Sequence, residues 1–253
     1  MKITVITVCY NSVATIGDAL RSVAAQTYPD IEHIVIDGGS RDGTQDAIRA
    51  NIARVAQFVS ERDEGIYDAM NKGLARATGD VICFLNSDDF YASPEALAVV
   101  ACEMNDPSID ALFGDVAFID PINPEKILRH YRSGRFSPRS IAWGWMPAHP
   151  ASFIRRTVFE IEGGFKTDYR IAADFEFIAR SFGKKAYRFR HSTRTFVKMR
   201  LGGVSTGGFK SKILLNREVL RACRENGIRT SYLQILMKYP FKILEYVSPT
   251  LPK

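Results

Sequence analysis

Four short stretches carry carboxylates where a cation, a nucleotide or a proton could use them. Asp37 stands in Asp37-Gly38-Gly39-Ser40, Asp63 in Glu61-Arg62-Asp63-Glu64-Gly65, and Asp88 and Asp89 close Phe84-Leu85-Asn86-Ser87-Asp88-Asp89. Asp174 comes later, in Ala172-Ala173-Asp174-Phe175-Glu176. Two adjacent carboxylates at the end of an apolar run repel one another, and a divalent cation, which prefers oxygen ligands, neutralises them. Such a cation would bridge diphosphate oxygens and stabilise charge on a departing group. Taken alone, Asp88-Asp89 could equally serve the first turn of a following helix, and Asp174 could be a helix N-cap.

What decides between these readings is whether the acids share one rim. Apolar, β-branched runs at Ile3–Val8, Ile31–Ile36, Val55–Val59 and Val81–Leu85 alternate with helical spacing over Ala14–Ala25 (N-cap Ser12), Thr44–Ile52, Ile66–Ala77 and Pro94–Met104. Strands alternating with helices predict a parallel α/β sheet with right-handed crossovers, whose ligands bind beyond the carboxyl ends of the strands. Three of those ends carry acids. After residue 110 the rhythm changes. Ala111–Ile119 and Lys126–Tyr131 read as an antiparallel addition, Ala172–Phe182 as a helix, Thr195–Met199 as a strand, and 209–226 and 231–247 as closing helices.

Composition bounds the class. The chain has 253 residues, 46% hydrophobic and 25% charged, with no repeat or linker-like tract, which suits a soluble protein of one large domain. The net charge of +6 is uneven: residues 184–253 hold 16 Lys and Arg against Glu218, Glu225 and Glu245, a net of +13, which leaves −7 for residues 1–183. The basic end suits a solvated face, an anionic membrane surface or a diphosphate ligand. No nucleic-acid motif accompanies it. Cys9, Cys83, Cys102 and Cys223 lack metal-ligand spacing and point to a reducing compartment. The start, Met1-Lys2-Ile3-Thr4-Val5, reads as a strand rather than a leader, and no apolar run reaches the roughly 18 residues of a membrane span.

Thr7-Val8-Cys9-Tyr10-Asn11, Val35-Ile36-Asp37-Gly38-Gly39-Ser40-Arg41-Asp42-Gly43-Thr44 and Phe84-Leu85-Asn86-Ser87-Asp88-Asp89 together resemble successive blocks of the family 2 glycosyltransferases. Asp63-Glu64-Gly65-Ile66-Tyr67-Asp68-Ala69-Met70-Asn71-Lys72-Gly73 resembles a bacterial surface-polysaccharide subgroup. The resemblance spans roughly residues 1–205. It implies a GT-A, Rossmann-like mixed sheet, mostly parallel and flanked by helices, with C-terminal helices at 209–253 packed on domain 1–208 or on a membrane.

The resemblance also implies inverting transfer of a sugar from a nucleotide-diphosphate donor, UDP-sugar favoured, to an acceptor hydroxyl. On the donor side it places Thr7 and Tyr10 beside the base, Asp37 on the base itself, and Asp63, Lys72, Asn86 and Asp88 along the rest of the nucleotide sugar. Asp88 and Asp89 would hold Mn²⁺ or Mg²⁺. Asn86 replaces the first acid of the family's Asp-x-Asp pattern; an amide oxygen can still ligate a metal or bond a ribose hydroxyl, without charge. Asp174 matches the base that takes the acceptor proton, with Glu176 as an alternative. His149, Trp145 (with Trp143), Arg200, Gly203 and Ser205 are candidates for acceptor or phosphate contacts.

The expected partners are a nucleotide-diphosphate sugar and a saccharide or lipid-linked acceptor. An anionic membrane at the cytoplasmic face and a homodimer remain open, and nucleic acid is not expected. Two competing functions are weighed against this. A sugar-phosphate nucleotidyltransferase needs a Gly-rich, basic loop after the first strand, and Cys9-Tyr10-Asn11-Ser12-Val13 has neither feature. A non-catalytic nucleotide-sugar binder would keep Asp37 but tolerate loss of Asp88 and Asp174, and both are present.

Overall fold

The computed structural model describes residues 1–183, 187–201 and 208–239. Its first half is a parallel α/β unit. Strands β1 (Ile3–Cys9), β2 (Ile31–Asp37), β3 (Val55–Ser60) and β4 (Val81–Phe84) are joined by helices α1 (Ile16–Ala24), α2 (Thr44–Ala50) and α3 (Ile66–Leu74). Every residue of β1 and β4 is buried, as strands covered on both faces must be. Successive side chains of β1 serve opposite faces: Ile6 and Val8 join one apolar cluster, Ile3 and Val5 another. Helix α3 lies so close to β1 that a Cβ on Gly73 would strike the Ile6 side chain.

The second half adds β5 (Phe90–Tyr91), α4 (Ala96–Glu103), β6 (Ala111–Ile119), β7 (Ile127–Tyr131), β8 (Ser152–Arg155), α5 (Arg156–Glu162), α6 (Ala173–Phe182), β9 (Phe189–Arg200), α7 (Gly208–Glu225) and α8 (Tyr232–Leu236). All nine strands form one sheet in the order β3-β2-β1-β4-β8-β6-β9-β5, with β7 beside β6. The pairings set β1 to β4, β6 and β9 in one direction and β5, β7 and β8 in the other. The sheet is therefore mixed and mostly parallel, and β6–β7 is the antiparallel addition that the spacing predicts.

Three local differences from the sequence reading bear on the site. Helix α1 begins at Ile16, not Ala14, because Ser12 is drawn into the strand-end rim: its backbone N–H donates to Thr44 Oγ1 and its hydroxyl accepts from Ser87. Asp88 and Asp89 cap no helix, since β5 follows them directly and pairs with β9. Strand β9 runs from Phe189, six residues before the predicted start; its outward Arg190 and Arg194 interrupt the apolar signal, while its parallel pairing with β6 holds it extended. The predicted last helix is described over Tyr232–Leu236, and its continuation to 247 lies outside the described residues beyond 239.

Candidate active site

The register Cys9↔Asp37↔Ser60 aligns the carboxyl ends of β1, β2 and β3, and Ile6↔Phe84 brings β4 alongside. Asp37 is fully buried where these ends meet. Its carboxylate accepts from the Ser40 backbone N–H at 3.0 Å, from the Ser60 hydroxyl at 2.6 Å and from the Ser40 hydroxyl. Around it, Asn11 adopts a left-handed conformation (φ 48°), donates its N–H to Ser40 Oγ and accepts from the Arg41 N–H. Tyr10, 64% exposed, opens onto this rim, whereas Thr7 points into the sheet, fully buried against His33 Nε2 at 3.0 Å. Burial pushes His33 down to about 3, so Thr7 faces a neutral ring.

Asp63 reaches over the end of β2. Its carboxylate crowds Gly38 so closely that a Cβ there would collide with it, and Oδ1 accepts the Gly65 N–H at 2.9 Å. Glycine at 38 thus lets two strand-end loops touch. Lys72 stands behind this loop, where it donates to the Arg62 carbonyl and pairs with Glu61 and Asp68, each at 3.2 Å. Partial burial alone would lower its pKa; the two carboxylates outweigh that and raise it. The lysine expected to offset diphosphate charge is held by two acids and fixes the 61–68 segment.

The β4 end is more tightly enclosed. The Asp89 N–H donates to the Asn86 carbonyl at 3.1 Å, closing a turn. Arg200 clamps that turn, donating to the Asp88 carbonyl at 2.9 Å, pairing with Asp18 and lying over the Phe90 ring at 5.1 Å. It therefore supports the acids from β9, with its guanidinium already engaged. Asp88 is half-buried, and burial raises its pKa against the pull of Arg200. Asp89 is 1% exposed, and burial, then the Asp88 charge, push its carboxyl well above the ordinary range.

Two buried oxygens here, Asn86 Oδ1 and Asp89 Oδ2, have no hydrogen-bond partner. No group of three or more His, Cys, Asp and Glu suited to a metal occurs among the described residues. The donors present are thus one half-buried carboxylate with a second behind it, and one unpaired amide oxygen. That set fits a hard divalent cation which takes its other ligands from a diphosphate and water, as Mg²⁺ commonly does.

Asp174 occupies the first turn of α6. Its Oδ1 accepts from the Phe175 N–H at 2.8 Å and from the Tyr67 hydroxyl at 3.3 Å. Burial raises its pKa and the nearby His149 pulls it back. His149 is stacked on Phe84, centroids 5.4 Å apart and planes 20° off parallel, with the edge of Phe165 at 5.8 Å. Burial lowers the His149 pKa, so its ring is neutral near pH 7, and its Nε2 is buried without a partner. Phe84 ends β4 two residues before Asn86, so this aromatic cluster packs directly beneath the turn that carries the acid pair. Such ring pairs add about 0.5–1.5 kcal/mol each beyond area burial, which makes the platform stiff.

Other candidates fall elsewhere. Trp145 lies 6.4 Å from the Tyr131 ring, Trp143 is largely exposed, and Gly203 and Ser205 lie outside the described residues. Glu176, the alternative base, is fully buried and neutralised by Lys166 at 3.0 Å and Arg180 at 3.1 Å, so the structure removes it from consideration. Removing Glu176 leaves the partly buried Arg180 without its carboxylate, while Lys166 keeps Glu225. Glu176→Ala should destabilise the fold by roughly 3 kcal/mol, read as a lower melting temperature, with turnover per folded molecule unchanged. Tyr67, which the sequence placed in a matching block without a role, proves to touch Asp174; its only signal was that block.

The family described as "Glycosyl transferase family 2" matches residues 4–195. The chain belongs to that family. It is 36% identical over 189 residues to an uncharacterised glycosyltransferase of Mycobacterium tuberculosis, covering 71% of this chain and 68% of that one. It is 34% identical over 184 residues to a "PGL/p-HBAD biosynthesis glycosyltransferase" of Mycobacterium bovis, covering 70% and 68%.

Among solved structures, S. aureus TarS 1-349 in complex with UDP-GlcNAc superposes with a TM-score of 0.70 at 18% identity, over 88% of this chain and 66% of that one. The chain spans 39% of a longer TarS structure. The mannosyltransferase PcManGT of Pyrobaculum calidifontis, in complex with GDP-Man and Mn²⁺, gives 0.63 at 21% identity over 99% and 76%. These likenesses establish the GT-A glycosyltransferase fold. No described helix is long and apolar enough to cross a membrane.

Proposed function

We propose that the protein is an inverting glycosyltransferase that moves a sugar from a nucleotide-diphosphate donor, UDP-sugar favoured, to an acceptor hydroxyl. One observation carries the reading: Tyr67, at the start of α3 beside the strand-end segment that holds Asp63, donates to Asp174 of α6 at 3.3 Å and so brings the carboxylate of α6 to the rim. Asp174 accepts the acceptor's hydroxyl proton as the acceptor oxygen bonds to the anomeric carbon. On the opposite face the bond from that carbon to the diphosphate oxygen breaks, and the nucleotide diphosphate departs with the electron pair. Asp88 and Asn86, backed by Asp89, would hold a divalent cation, which when bound stabilises charge on the leaving diphosphate.

Neutral His149 places no charge beside Asp174, so burial holds the Asp174 pKa above the ordinary aspartate range. The relatives support this reading by their own descriptions, since one is named for PGL/p-HBAD biosynthesis, one structural neighbour is in complex with UDP-GlcNAc, and another is in complex with GDP-Man and Mn²⁺. Assembly of a polysaccharide or lipid-linked glycan at the cytoplasmic membrane face is the setting that fits.

A panel of UDP- and GDP-sugars tested with Mn²⁺, Mg²⁺ or EDTA checks the proposal. A donor at 100 times its dissociation constant stabilises the fold by about 2.7 kcal/mol, which is roughly 5–10 °C for a chain of this size. A UDP-sugar should give that shift only with metal, and the glycoside formed should have the opposite anomeric configuration to the donor. No metal-dependent shift with any nucleotide sugar, or retained configuration in the product, would overturn the reading.

A further inference from the structure

The N-terminus of α6 has no local side-chain cap: its capping position is Ala172. The three N–H groups that lead into the helix are met instead by a residue from a distant helix. Glu218, on α7 and almost fully buried, accepts from the Arg170 N–H at 2.8 Å, the Ile171 N–H at 2.9 Å and the Ala172 N–H at 2.9 Å. On the other side of the same segment the Tyr67 hydroxyl donates to the Ile171 carbonyl at 2.6 Å. The Ile171 residue is therefore gripped at both its N–H and its C=O, three positions before Asp174.

We infer that Glu218 is a positioning residue for Asp174, holding the turn from which α6 presents the base. This rests on the proposed function, in which Asp174 takes the acceptor proton. In the first helical turn a side chain's direction follows the φ and ψ of the residues just before it, and those are the residues Glu218 holds.

The remaining links between α7 and this loop are more exposed and individually weaker: Lys166 and Tyr169 donate to Glu225, and Arg221 pairs with Asp168. Glu218 alone reaches the buried backbone next to the catalytic helix. The sequence held one signal for it. Within the basic α7, which carries Lys210, Lys212, Arg217, Arg221 and Arg224, the only acids are Glu218 and Glu225.

Glu218→Gln offers an amide N–H₂ where three N–H donors converge, so at least one bond is lost and the turn shifts. Misplacement of a reacting group by about 1 Å costs on the order of 100-fold. Glu218→Gln should lower kcat roughly 10- to 100-fold, while the KM for donor and the calorimetric affinity for the nucleotide diphosphate stay within about twofold. In an Asp174→Asn background the same change should cost nothing further, because the group it positions is already disabled.

Equal loss in both backgrounds, or loss of nucleotide affinity, would show a general structural role and overturn the inference. So would unchanged kcat in Glu218→Gln while Asp174→Asn is inactive, a result that leaves the proposed function standing. If Asp174→Asn itself is fully active, the base assignment falls and this inference falls with it. Should Glu218→Gln not fold, Glu218→Asp, which keeps the charge but is too short to hold all three N–H groups, is measured in the same two backgrounds with the same criteria.

Discussion

Asp174→Asn should reduce sugar transfer by roughly 10²- to 10⁴-fold, the usual contribution of a positioned general base, while nucleotide-diphosphate binding is retained. The substitution keeps shape and can still accept from the Phe175 N–H and the Tyr67 hydroxyl, so the local bonds survive. It removes only the ability to take a proton. Retained turnover would remove the base assignment.

The raised pKa of Asp174 adds a pH signature. The base works only when ionised, so kcat in the wild type should fall on the acid side at a pH above the ordinary aspartate value of about 3.9. The sign for stability is opposite. A carboxyl whose pKa is raised on folding favours the protonated folded state, so its contribution is full below the unfolded value and is lost as pH rises through the folded one. Asp174→Asn avoids that loss. Its melting temperature should therefore gain on the wild type as pH climbs from about 4 toward neutrality, even as activity disappears.

That opposition explains why some of the site was legible in the sequence and some was not. Strand-end position is written in short-range pattern: four β-branched runs, each followed by turn residues, place Asp37, Asp63 and Asp88 at the ends of neighbouring strands. Burial and partnership are not so written. Lys72 reads as a free cation because Glu61 lies 11 residues away and Asp68 one helical turn back, and only the fold closes both pairs.

Glu176 stands in the sequence as the alternative to Asp174; its ion pairs with Arg180 and Lys166, formed only in the fold, set it aside. Tyr67 reaches Asp174 across 107 positions, and Glu218 reaches Ala172 across 46. Neither link has a periodicity to betray it. The first six residues of β9 and the short β5 escaped for a related reason: each is held by pairing with a partner distant in sequence rather than by its own apolar spacing.

The second large effect is expected at Asp88, and it should change sign with conditions. Without metal, Asp88 is a half-buried carboxylate beside a fully buried one, its pKa raised by burial, and Arg200 only partly compensates. Asp88→Asn relieves that strain, so the metal-free protein should melt higher at neutral pH, by about 2–4 °C if the gain is near 1 kcal/mol. The same change removes the one carboxylate of this turn that is not fully buried, and leaves two amide oxygens in front of a diphosphate.

Metal-dependent donor affinity should therefore drop by roughly 100-fold, and the stabilisation given by donor plus Mn²⁺ should largely vanish. A merely structural acid would lose stability in both conditions. An acid kept for binding gains it in one and forfeits it in the other. Calorimetric titration of the nucleotide sugar with and without Mn²⁺, beside melting curves in EDTA, reads both halves. Undiminished metal-linked affinity in Asp88→Asn would move the cation to other ligands. In that case Asn86 Oδ1 and Asp89 Oδ2, the two buried oxygens of this turn without partners, are where it should be sought.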